Sequence, residues 1–92
     1  MERMKLTINI LTGLHLRPAG VLCKSATEFS STITLKRGDN TANAKSILGV
    51  LSTCAKYGDE IELICDGKDE KEAMQVLSDL ILIGLGDTQM KK

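Results

Sequence analysis

Aromatic residues are almost absent from this 92-residue chain, which has one Tyr, one Phe and no Trp. With so little to stack on bases, nucleic-acid binding is not expected. Net charge is also missing: twelve acidic residues balance twelve basic ones. No long hydrophobic run occurs. The longest uninterrupted one, residues 80–83, is far too short to cross a bilayer, so no membrane association is expected. No charged-then-apolar leader opens the chain, and no export signal is expected. The three cysteines, Cys23, Cys54 and Cys65, are odd in number, scattered and set among apolar neighbours. They read as small buried hydrophobes in a reducing cytoplasm, not as a disulfide framework. What is present is ordinary globular material, 42% hydrophobic and 26% charged. That suits a single domain over residues 1–92 with a modest two-layer core. Nothing argues for an oligomer, so a monomer is expected.

Residues 5–11 alternate, with Leu6, Ile8 and Ile10 on one side and Lys5, Thr7 and Asn9 on the other, as a half-buried strand does. Thr12-Gly13 breaks it. A helix is expected over 16–28. Ile33 and Leu35 alternate with Thr32, Thr34 and Lys36 in a second strand. Gly38-Asp39-Asn40 is turn chemistry leading into a short third strand at 41–44. Ser46 reads as the N-cap of a short helix that is apolar nearly all round. In that helix Val50, with or without Leu51, faces inward, and Ile47 and Leu48 stay partly exposed. Tyr57-Gly58-Asp59 ends the segment, and Ile61, Leu63 and Cys65 mark a fourth strand. Asp69 and Glu72 have the spacing of a capping box. The last helix is expected to bury Ala73, Val76, Leu77, Leu80 and Ile81, to end at Gly84 or Gly86, and to leave 87–92 fraying. The order β-α-β-β-α-β-α predicts an α+β fold: a four-stranded antiparallel sheet covered on one face by three helices.

The only histidine stands in Gly13-Leu14-His15-Leu16-Arg17-Pro18-Ala19. Ala19, Leu22, Cys23 and Ala26 recur behind it at helical spacing. Pro18 falls in the first turn, where its missing N–H costs nothing because first-turn N–H groups have no partner inside the helix. His15 therefore lies at or next to an N-cap, a nucleophilic imidazole at the mouth of an anion site. Arg17 adds a planar fork suited to phosphate oxygens. Taken alone, His15 also fits an ordinary N-cap or surface histidine, and Arg17 a solvated helix charge. No Cys or second His stands at ligand spacing, so neither a metal nor a cofactor is expected. Gly20, in the helix interior one turn from His15, leaves room for another surface to approach.

The His15 stretch resembles the active-site motif of HPr, the histidine-containing phosphocarrier family of the phosphoenolpyruvate:sugar phosphotransferase system. Lys45-Ser46-Ile47-Leu48-Gly49-Val50-Leu51-Ser52 resembles the regulatory-serine segment of its Gram-positive type. Both motifs stand in register on the element order above, and the likeness spans nearly the whole chain. The resemblance implies a cytoplasmic carrier, not an enzyme with its own turnover. It would accept a phosphoryl group from phosphorylated enzyme I and pass it to the IIA component of a sugar transporter. His15 would be the acceptor, Arg17 the phosphate partner and Ser46 the site of HPr kinase/phosphorylase. The seryl-phosphorylated form would bind the catabolite control protein.

Leu16 occupies a position where the family more often has a smaller or polar residue, with consequences for partner fit beside His15. Ile47, Leu48 and Leu51 read plainly as filler of a short helix. With Leu16, Gly20 and Val21 they also form an apolar apron around His15, rimmed by Arg17 and Lys24, and this is the expected docking face. Two other readings compete. One is a regulatory binding module acting mainly through phospho-Ser46, against which an intact His15 and Arg17 argue. The other is a small ligand-binding domain without covalent chemistry. Hydrolysis is the weakest reading, since no second base or nucleophile is recognisable beside His15.

Overall fold

The computed structural model describes residues 1–10 and 13–85. The elements run β1 (Glu2–Thr7), α1 (Leu16–Ala26), β2 (Thr32–Arg37), β3 (Asn40–Asn43), α2 (Ile47–Ser52), β4 (Glu60–Asp66) and α3 (Glu70–Leu82). The four strands make one antiparallel sheet in the order β1-β4-β2-β3. Register follows from the period-2 pattern. Leu6 lies opposite Ile61, Leu63 opposite Leu35 and Cys65 opposite Ile33, and all six are buried. Against that apolar face the helices set Ala19, Leu22 and Ala26 of α1, Val50 of α2, and Ala73, Leu77 and Ile81 of α3. Truncating any of the larger of these to Ala costs about 2–5 kcal/mol. The other face of the sheet carries charge in rows, Lys5 opposite Glu62 and Glu62 opposite Lys36. Diagonally across it, Arg3 pairs with Glu62 at 3.1 Å, and that bond holds the Glu62 carboxyl below its usual range.

Several local expectations need correction. The first strand starts at Glu2 and ends at Thr7, earlier than 5–11. Ile8 and Ile10 keep the inward alternation and are buried. Ile8, however, exchanges backbone hydrogen bonds with the 58–59 turn, Ile8 N–H to Asp59 O and Gly58 N–H to Ile8 O, both 2.8 Å. Leu11 and Thr12 lie outside the described residues. Helix α1 closes at Ala26, two residues short of Glu28, and β3 is shifted one residue earlier than 41–44. The Asp69–Glu72 capping box does not form, because Asp69 caps α3 by backbone position only and makes no side-chain cap bond. Its carboxylate instead accepts from Ser30 N–H, Ser31 N–H and the Ser31 hydroxyl in the loop before β2.

Helix α3 is also rotated from the expected face: Met74 and Ser78 are buried with Ala73, Leu77 and Ile81, while Val76 is 38% exposed and Leu80 is half-buried. Its end is a Schellman motif. Gly84 N–H bonds to Ile81 O at 3.1 Å and Leu85 N–H to Leu80 O at 2.8 Å. Gly84 has φ +93°, which a glycine adopts without penalty, and Leu85 closes the motif fully buried. Gly86 and the 87–92 tail lie outside the described residues. The cysteines differ too. Only Cys65 is buried; Cys23 is half-buried and Cys54 exposed, and all three are free thiols. Burial pushes the Cys65 thiol up to about 11, which leaves it inert.

Candidate functional site

His15 is the N-cap of α1, extended at φ −94° and ψ −168°, and its side chain makes no cap hydrogen bond. Its carbonyl takes the first intrahelical bond, from Ala19 N–H at 2.9 Å. Pro18 sits in the first turn and is buried with Ala19, which anchors the helix start on the core. His15, Leu16 and Arg17 are exposed above that anchor. No acidic residue lies in the first turn, so the helix adds no negative charge of its own to its positive end. The chain thus places an exposed imidazole and a guanidinium at a helix N-terminus suited to an anion.

The loop that carries His15 is fastened from below. Gly13 has φ +77°. A Cβ on it would lie 3.0 Å from the Ala55 carbonyl oxygen and 3.3 Å from Lys56 Cα. Only glycine suits both the conformation and the close approach. Leu14 N–H then donates to Ala55 O at 3.0 Å, and Leu14 and Ala55 are both buried. The support on the other side of that bond is the turn leaving α2. It is made by Cys54, whose φ of +55° puts it where helices commonly end on a glycine. Gly13 was legible as a turn residue, though the strand it was expected to end already stops at Thr7. The partner of its loop at Ala55 was not legible, because nothing in the residues 53–56 marks them as a platform.

Helix α2 lies beside α1. Ser46 caps it, its hydroxyl accepting from Gly49 N–H at 3.1 Å. Gly49 is packed tightly, since a Cβ there would stand 3.2 Å from Asn43 O. Two bonds tie the start of α2 to α1 and its exit: Cys23 Sγ donates to Lys45 O at 2.9 Å, and Lys45 Nζ donates to Phe29 O at 2.7 Å. Of the expected apron, Leu16 is 65% and Leu48 79% exposed. Ile47 and Lys24 are exposed, Gly20 is half-buried, and Val21 and Leu51 pack partly onto the core. A Cβ on Gly20 would meet nothing within 4 Å, so that position opens outward. His15, Arg17, Gly20, Val21 and Lys24 therefore share α1, while Ser46, Ile47, Leu48 and Leu51 belong to α2 beside it. Among the described residues no group of three His, Cys, Asp or Glu side chains is placed to hold a metal ion, and no helix is long and apolar enough to cross a membrane.

Comparison with known proteins agrees with this geometry. The family model described as "PTS HPr component phosphorylation site" matches residues 3–82. The HPr-like protein Crh of Bacillus subtilis is 37% identical over 78 residues, covering 85% of this chain and 92% of that protein. The phosphocarrier protein HPr of Mycoplasma capricolum is 38% identical over 82 residues, covering 89% and 92%. Among solved structures, HPr-C-His from Thermoanaerobacter tengcongensis superposes with a TM-score of 0.89 at 38% identity, over 94% of this chain and 97% of that one.

Proposed function

The chain belongs to the HPr family, and from that premise we propose that His15 carries the phosphoryl group. The protein is a phosphocarrier of the phosphotransferase system, a covalent relay and not an enzyme with its own turnover. It receives its phosphoryl group from enzyme I and hands it to IIA components. One observation carries the assignment to His15. The only histidine of the chain is exposed at the N-cap of α1, with Arg17 in a first turn free of acidic residues.

The chemistry asks little more of this chain. A ring nitrogen lone pair attacks phosphorus, the N–P bond forms, and the bond to the donor breaks. The same exchange in reverse passes the group on. The helix start stabilises the arriving charge, and Arg17 offers two parallel donors to phosphate oxygens. Positioning and charge stabilisation are most of what phosphoryl transfer needs. An exposed His15 lets donor and acceptor approach in turn. Leu16, Gly20, Val21, Lys24, Ile47, Leu48 and Leu51 form the face on which both dock, a small contact suited to quick release.

Ser46 is the regulatory site for HPr kinase/phosphorylase, and its phosphorylated form is the one a catabolite control protein reads. A phosphate at Ser46 adds about two negative charges to the docking face. Free thiols and the phosphotransferase role support a cytoplasmic location. The similarity to Crh favours a second reading, in which output through phospho-Ser46 is the main role. The two separate by where phosphate goes. With phosphoenolpyruvate and enzyme I, acid-labile phosphate is expected on the peptide that holds His15. Its absence there removes the carrier assignment and leaves the Ser46 reading.

A further inference from the structure

The platform under the His15 loop is itself held by an ion pair at the far end of β2. Arg37 Nε donates to Asp59 Oδ2 at 2.8 Å, and its Nη1 reaches the Thr53 carbonyl at 3.2 Å. Thr53 is the C-cap of α2, so the guanidinium satisfies one of the carbonyls that a helix end leaves without a partner. Asp59 Oδ2 also accepts from Lys56 N–H at 2.8 Å, and Asp59 N–H returns to Lys56 O at 2.9 Å. Residues 56–59 are therefore closed on both sides by one residue. The Lys56 N–H and the Arg37 guanidinium together hold the Asp59 carboxyl below its usual range. Between the two anchored points, Thr53 and Lys56, stands Ala55. Its carbonyl takes the Leu14 N–H one residue before His15, and Gly13 leaves no slack above it.

We infer that Arg37 and Asp59 are positioning residues for phosphoryl transfer, fixing the Thr53–Lys56 platform and through Ala55 and Leu14 the placement of His15. The inference rests on His15 being the acceptor. Neither residue belongs to the docking face, and each acts on His15 through Ala55 and Leu14. Their effect belongs in the rate of the transfer step and not in partner affinity. A small displacement of a reacting group costs far more rate than stability, up to about a hundredfold for 1 Å.

The lone histidine makes the test clean, because its ring proton resonances are the only ones of their kind in the spectrum. Asp59→Ala removes both the Arg37 partner and the Lys56 acceptor. It is expected to shift the His15 ring resonances and to lower the maximal rate of transfer from phosphorylated enzyme I by about three- to tenfold. The half-saturating concentration of this protein is expected to stay as in wild type. Asp59→Asn keeps an oxygen for the Lys56 N–H and is expected to recover part of the rate. Arg3→Gln, which breaks the pair with Glu62 on the open face of the sheet, is expected to change neither readout. A folded Asp59→Ala protein with unchanged His15 resonances and unchanged maximal rate overturns the inference. So does an equal loss in Arg3→Gln. If the wild type itself takes no phosphate on His15, the acceptor assignment fails instead, and the resonance shift alone then reports on the platform.

Discussion

Asp69 shows how one side chain joins distant parts of this chain. Its carboxylate accepts from the Ser31 hydroxyl and from the Ser30 and Ser31 N–H groups, while its backbone opens α3. Those bonds, the Ser31 hydroxyl first and then Ser30 N–H, hold its carboxyl at about 2, against about 3.9 in an unfolded chain. A carboxylate with a depressed folded-state pKa stabilises fully above its unfolded value and loses that contribution as pH falls. The loss is therefore expected below roughly pH 4, completing near pH 2. Urea unfolding of wild type and Asp69→Asn across that range checks it. Wild type should lose stability relative to the variant as the pH drops, and parallel curves would contradict the assignment. The sequence could not show this pairing. Asp69 and Glu72 carry a true capping-box spacing, and only the approach of the Ser30–Ser31 loop decides that the carboxylate turns away from its own helix.

At the scale of elements, the strands and helices were legible because their periods are clean. The Leu6, Ile33, Leu35, Ile61, Leu63 and Cys65 alternation fixes which face of each strand meets the helices, and the Ser46 cap and the exposed Leu48 follow from local chemistry. The rotation of α3 was not legible. A run containing Ala73, Met74, Val76, Leu77, Leu80 and Ile81 offers two overlapping apolar stripes, and packing against the sheet selects the one through Met74 and Ser78. The strand order β1-β4-β2-β3 and the Ala55 platform are non-local in the same way. Helix α2 permits an element-scale prediction. Ser46→Ala removes the bond to Gly49 N–H and is expected to cost about 1 kcal/mol in urea unfolding. Ser46→Asp keeps a capping oxygen, so its stability should stay near wild type, but its charge should slow phosphorylation of His15. Equal transfer rates for Ser46→Asp and wild type would contradict the regulatory role.

At the scale of the whole molecule, the sheet gives its charged face to water and its apolar face to the helices, and the helices bring His15 and Ser46 onto neighbouring elements. If partners dock on the proposed face, Leu48→Ala and Lys24→Glu are expected to reduce the rate of transfer from enzyme I without unfolding the protein, since both side chains are exposed. If neither changes the rate, the docking face lies elsewhere. The chemistry is simpler than the surface around it: one covalent phosphoryl group, on one histidine. The most direct test is intact mass after incubation with phosphoenolpyruvate and enzyme I, wild type beside His15→Ala. Wild type is expected to gain one acid-labile phosphoryl group and the variant none. No gain in wild type, with an enzyme I shown active on another carrier, or the same acid-labile gain in His15→Ala, would contradict the assignment to His15.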